Sequence, residues 1–180
     1  DTNPFNRFLK LYHLIELQFD MHTAELIKNM FDQGGKEKEI SEALRDYVRD
    51  DIERLKSLFK LRIDKQSMLP YINSLINYKT EAKSIFYYKE KDSNPLRSVQ
   101  KFENLLNSSN ITEQSFNQIF GTNWYEDKIL PSIAYWIYRV RNCIAHNKIG
   151  EYVMKKSDES FVVNFAEPLL KEVVKQCYKK

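Results

Sequence analysis

The sequence predicts an all-α protein, a bundle of long helices. Three observations carry this. Only 4 glycines and 5 prolines occur in 180 residues, so few turns are signalled. Apolar residues recur at spacings of three and four, the repeat of one helix face. The composition, 42% apolar and 29% charged, is that of a chain that buries a core. The length suits a single domain spanning 1–180. The chain opens on Asp1 and not on Met, so we expect a processed or excised piece of a longer protein.

Taken in order, a first helix is expected from about Pro4 to Phe31, with Phe8, Leu11, Tyr12, Ile15, Phe19, His22 and Leu26 on one face. Pro4 suits a first turn, and Gly34-Gly35 stops the helix. A second is expected from about Lys36 to Leu61 on the stripe Ile40, Leu44, Tyr47, Val48, Ile52, Leu55 and Phe59. Pro70 to Tyr78 reads as a short helix, and Ile85 to Tyr88 as a helix or an edge strand. Lys79 to Asn94 reads as a loop or insertion. Helices follow over Pro95–Leu106 and over Thr112–Phe120, with Thr112 near the cap. A long helix starts between Asp127 and Pro131 and ends before Gly150. After it, Glu151–Met154 and Phe161–Phe165 could pair as a small β-hairpin, and Pro168–Tyr178 closes the chain as a helix.

Several function classes are excluded early. The uncharged run Ile129–Tyr138 is about half the ~20 residues a membrane-spanning helix needs, so no membrane partner is expected. Cys143 and Cys177 lack metal-ligand spacing and read as free, buried thiols of a protein in a reducing cytoplasm. No Gly-rich phosphate loop or metal-ligand cluster is visible, so no cofactor or metal is expected. The net charge is only +3, but its distribution is uneven. Lys128, Arg139, Arg141, Lys148, Lys155 and Lys156 face Glu151 alone between positions 128 and 156. A basic region of this kind suits an anionic partner such as RNA.

The long helix before Gly150 carries the chemistry. At about 100° per residue, Ile129, Ile133, Trp136, Val140, Cys143 and Ile144 form a core stripe. Arg139, Arg141, Asn142, His146, Tyr135 and Tyr138 fall off that stripe and are expected on the exposed side. Arginine and aromatics are enriched where another molecule covers a surface. An imidazole with an ordinary pKa near 6.5 exchanges protons at neutral pH.

The string Tyr138 to Lys148, YRVRNCIAHNK, resembles the signature of HEPN domains: an Arg, a polar residue, and a His a short helical spacing later. Those positions are Arg141, Asn142 and His146. The aromatic-rich first helix is also similar to that family. Many relatives carry a Tyr two residues after the His, where this chain has Lys148. The looser Arg-to-His spacing also occurs at Arg7 and His13, but apolar Phe8 follows Arg7.

The resemblance implies a helical bundle of HEPN type and metal-independent cleavage of RNA by its own 2′-hydroxyl. His146 would transfer protons, Arg141 would hold the phosphate and stabilise its charge, and Asn142 would orient His146. Arg139 and Lys148 would bind RNA nearby. It also implies a homodimer that brings two motifs into one cleft, and Tyr135 and Tyr138, expected on the exposed side of the long helix, fit its interface. Similar domains act as toxins or antiviral defence effectors under an antitoxin or a regulatory domain. The alternative is a non-catalytic HEPN dimer that binds RNA, a nucleotide or a partner protein.

Overall fold

The computed structural model describes residues 2–48, 50–88, 93–145 and 152–179. Asn3 starts the first helix. Its side-chain oxygen accepts from the amides of Phe5 (2.9 Å) and Asn6 (3.2 Å), and Pro4 fills a first-turn position that needs no amide. The helix, α1, spans Pro4–Asp32. Gly34, with φ at 77°, turns the chain in a conformation that disfavours a side chain.

The second expected helix is two. α2 covers Glu37–Val48 and α3 covers Asp51–Arg62. Asp50 between them is extended and caps α3 by accepting from the Ile52 amide at 3.1 Å. The apolar stripe continues across the break, so periodicity alone hid it. The cap itself was legible, because Asp50 precedes Glu53 by the spacing of a helix start.

α4 runs Lys65–Asn73 from an Asp64 cap, with Pro70 inside it and not at its start. A tight turn (Ser74–Tyr78) leads directly into α5, Lys79–Phe86. Helix therefore occupies the first half of the expected loop. α6 (Val99–Leu106) begins at the Ser98 cap, later than Pro95. α7 (Glu113–Phe120) begins at Thr112, which exchanges hydrogen bonds with Ser115. α8 spans Trp124–Ala145.

No strand occurs among the described residues, so the hairpin is corrected. Tyr152–Met154 is irregular, and the Met154 amide donates to the Cys143 carbonyl (3.3 Å), which folds this segment back on α8. From Lys156 the chain is continuously helical: one tight turn (Lys156–Asp158), α9 (Glu159–Phe161), a wider π-helical stretch (Val162–Ala166) and α10 (Glu167–Cys177). Phe161, Val162, Phe165 and Ala166 are buried at helical spacing. Their β-branched and aromatic character imitates a strand, and packing overrides it.

α8 is the core of the bundle. α1, α3, α5 and α7 all pack against it, and α10 packs against α1. Trp136, 1% exposed, stacks on Phe86 of α5 at 5.5 Å, and Phe102, Phe161 and Phe165 meet Phe86 edge-on. Such aromatic pairs each add about 0.5–1.5 kcal/mol beyond the area they bury. Among the described residues no helix is long and apolar enough to cross a membrane.

Candidate functional site

A central helix has little exposed side. Between Ile129 and Val140 every α8 residue is buried except Pro131 and Tyr138. The helical wheel assumed one buried face, whereas neighbours surround this helix. Two expected surface residues are therefore interior. Tyr135 is 0% exposed and Arg139 2%. Both reach the end of α5: the Tyr135 hydroxyl donates to the Phe86 carbonyl at 2.9 Å, and Arg139 donates to the Ile85 carbonyl at 3.3 Å. The last carbonyls of a helix lack partners within it, and a cation favours that end. Arg139 and Tyr135 thus finish α5 from inside the core. Burial removes Arg139 from an RNA surface and Tyr135 from a subunit surface. Tyr138 is half-buried against the core.

The end of α8 is different. Arg141 and Asn142 are half-buried, and the Arg141 side chain keeps 22% of its exposure. Its Nη1 donates to the Asn142 side-chain oxygen at 3.1 Å. Its Nη2 stands 3.6 Å from the Glu16 carboxylate of α1, and its guanidinium carbon lies 5.6 Å from the centre of the Tyr12 ring. The planar guanidinium is thus fixed between an amide, a carboxylate and an aromatic face. His146 and Lys148 lie outside the described residues.

Sequence reading missed the α1 side of this site. Glu16 bridges Arg141 and exposed His13, whose Nδ1 is 3.2 Å from the other Glu16 oxygen. Tyr12, His13 and Glu16 share the middle of α1, and the available signal was the spacing of His13 and Glu16, one turn apart. The buried Tyr12 hydroxyl has no hydrogen-bond partner among the described residues. Burial, above all, pushes its pKa up, and the Arg141 guanidinium opposes that rise. Arg7, the second match to the loose Arg-to-His pattern, serves elsewhere: it grips Glu167 of α10 at 2.8 Å.

The arrangement offers an anchored guanidinium, a carboxylate and an imidazole at one partly exposed place. Cys143 and Cys177 are buried and form no disulfide among the described residues, and burial pushes the Cys177 thiol up to about 12. Neither is placed to act as a nucleophile. Among the described residues no group of three or more His, Cys, Asp or Glu side chains could hold a metal ion. Comparison of the chain with protein-family models, curated proteins and solved structures gives no match.

Proposed function

We propose that the chain is a HEPN-type endoribonuclease that cleaves RNA without a metal at a site shared by two subunits. One observation carries the reading: Arg141, the first residue of the Arg-Asn-x-x-x-His motif, is an anchored yet partly exposed guanidinium at the end of the central helix. The pair with Glu16 is loose and partly solvated, so a phosphate oxygen can replace the carboxylate at little cost. Arg141 then bears the charge that develops at phosphorus. His146 takes the 2′-hydroxyl proton or delivers one to the leaving 5′ oxygen, and the partner copy's motif supplies the other transfer. His13, held by Glu16, adds an imidazole beside the same guanidinium. The biological setting that goes with this reading is a toxin or defence effector acting on RNA, under an antitoxin or regulatory domain.

The test is cleavage of total RNA in EDTA by the wild-type chain and by His146→Ala, with circular dichroism melting in parallel. The reading requires cleavage to survive EDTA, to leave 2′,3′-cyclic phosphate ends and to vanish in the variant while the melting temperature holds. Full activity of His146→Ala overturns it.

A further inference from the structure

At the opposite end of α8 lies a second basic site. Trp124 and Arg141 are roughly 25 Å apart along the helix at ~1.5 Å per residue. There the start of α8, the end of α7, the chain before α6, and α3 enclose a pocket of about 600 Å³, within the range of small-molecule sites. Lys56, Arg97, Lys101 and Lys128 line it together with Phe120 and Trp124, and no carboxylate is among its described lining residues. Lys56 pairs with Glu53 at 2.7 Å. For Arg97, Lys101 and Lys128 no carboxylate lies within 4.0 Å among the described residues. All three are exposed.

Like charges gathered in this way repel one another, and an anion relieves that repulsion. The aromatic wall is equally specific. Phe120 and Trp124 stack at 5.6 Å, and the Lys128 ammonium sits 6.0 Å from the Trp124 ring centre. The indole lies across the α7–α8 turn because residue 121 is glycine. Gly121 has φ at 131°, and a Cβ there would come 3.0 Å from Trp124 Cδ1. Trp124 is half-buried, so part of the indole faces the pocket. Cations that track phosphate beside an aromatic platform are the two parts of a sequence-tolerant nucleotide site.

We propose that this pocket binds a nucleotide, with its phosphate on Arg97, Lys101 and Lys128 and its base against Trp124. The nucleotide is either a unit of single-stranded RNA or a free mononucleotide. The inference rests on these lining residues and stands apart from cleavage at the Arg141 end.

The experiment titrates the full chain with a fluorescein-labelled 2′-O-methyl RNA 10-mer, which the 2′-hydroxyl reaction cannot cut, and separately with AMP and with inorganic phosphate. Anisotropy and tryptophan emission report binding. Arg97→Glu and Lys101→Glu are expected to weaken binding about tenfold each and to lower the salt dependence by about one charge, with Lys175→Glu on α10 neutral. Tighter binding of the 10-mer than of AMP assigns the pocket to an RNA strand. Equal binding assigns it to the free nucleotide. Affinities unchanged by both charge reversals overturn the proposal, and so does inorganic phosphate competing as well as AMP.

Discussion

The Glu16 carboxylate of α1 stands 3.6 Å from the Arg141 guanidinium at the end of α8. Both side chains are partly exposed, 34% and 22%, so the pair contributes at most about 1 kcal/mol to folding. Its consequence for an incoming phosphate is opposite in sign, because the carboxylate competes for the same donors. Glu16→Gln is therefore expected to tighten binding of uncleavable RNA up to ~5-fold at low salt, with the melting temperature nearly unchanged. The gain shrinks as salt screens the charge. Weaker binding by an order of magnitude would mean that Glu16 instead holds Arg141 in its productive position.

The interior pair on α8 gives a stability prediction. Tyr135→Phe leaves the Phe86 carbonyl without its hydroxyl donor and is expected to cost ~1 kcal/mol in urea denaturation. Arg139→Met removes the guanidinium from the Ile85 carbonyl and is expected to cost more, ~2–4 kcal/mol. Neither folded variant should lose RNA affinity. A stable Arg139→Met protein with weakened RNA binding returns Arg139 to the RNA surface.

Acid should destabilise the protein in two steps. His22 is 2% exposed, and burial, above all, holds its pKa below 6.5. Below ~6.5 the unfolded chain takes up a proton that folded His22 resists, so stability falls as pH drops from there. Glu167 is held below its ordinary 4.5 first by its hydrogen bond from Arg7, with Lys171 adding to it. A depressed carboxylate contributes fully above its ordinary value, and the contribution is lost as pH falls through the folded value. Melting temperature against pH should therefore bend first near 6.5 and again below about 4.5. His22→Gln should remove the upper bend, and Glu167→Gln should weaken the lower. Glu172 also contributes to the lower bend, since the effect of burial there is outweighed by Gln176 and Lys175, which hold it below its ordinary value. A curve unchanged by either substitution would falsify the assignment.

Some helix ends were read from local signals at Pro4, Thr112 and Gly34-Gly35, whereas the equally local caps Asp50, Asp64 and Ser98 were missed. Asn3, Thr112 and the glycines at 34–35 mark ends through side chains and φ values that act within a few residues. The stripe of α1 was equally readable because one of its sides remains in solvent. α8 defeated the same reasoning. A wheel ranks faces by composition, and Tyr135 and Arg139 are polar only at their tips, which meet the end of a helix some 50 residues earlier in the chain. Nothing local encodes that meeting. The α1 half of the candidate site was hidden for the same reason, since Glu16 and Arg141 are neighbours only through the packing of α1 on α8.

The last prediction concerns assembly. A lone motif supplies one His146 and one Arg141, whereas the proposed cleavage uses two proton transfers at one phosphate, so the partner copy completes the site. Tyr135 is buried and cannot meet that copy. The apolar surface beside the site lies instead on α1, where Leu14, Leu17 and Met21 are exposed by 37%, 47% and 57%. Their spacings of three and four put them on one face, and His13 stands next to it. In a two-fold dimer this stripe meets its own copy, and each subunit presents the same patch to the other. Leu17→Glu introduces a like-charge pair at the centre of such a contact without touching the core. It is expected to shift sedimentation from dimer to monomer and to abolish cleavage, with the melting temperature of the monomer preserved. A wild-type chain that sediments as a monomer at full activity defeats the shared site, as does a Leu17→Glu monomer that still cleaves at the wild-type rate.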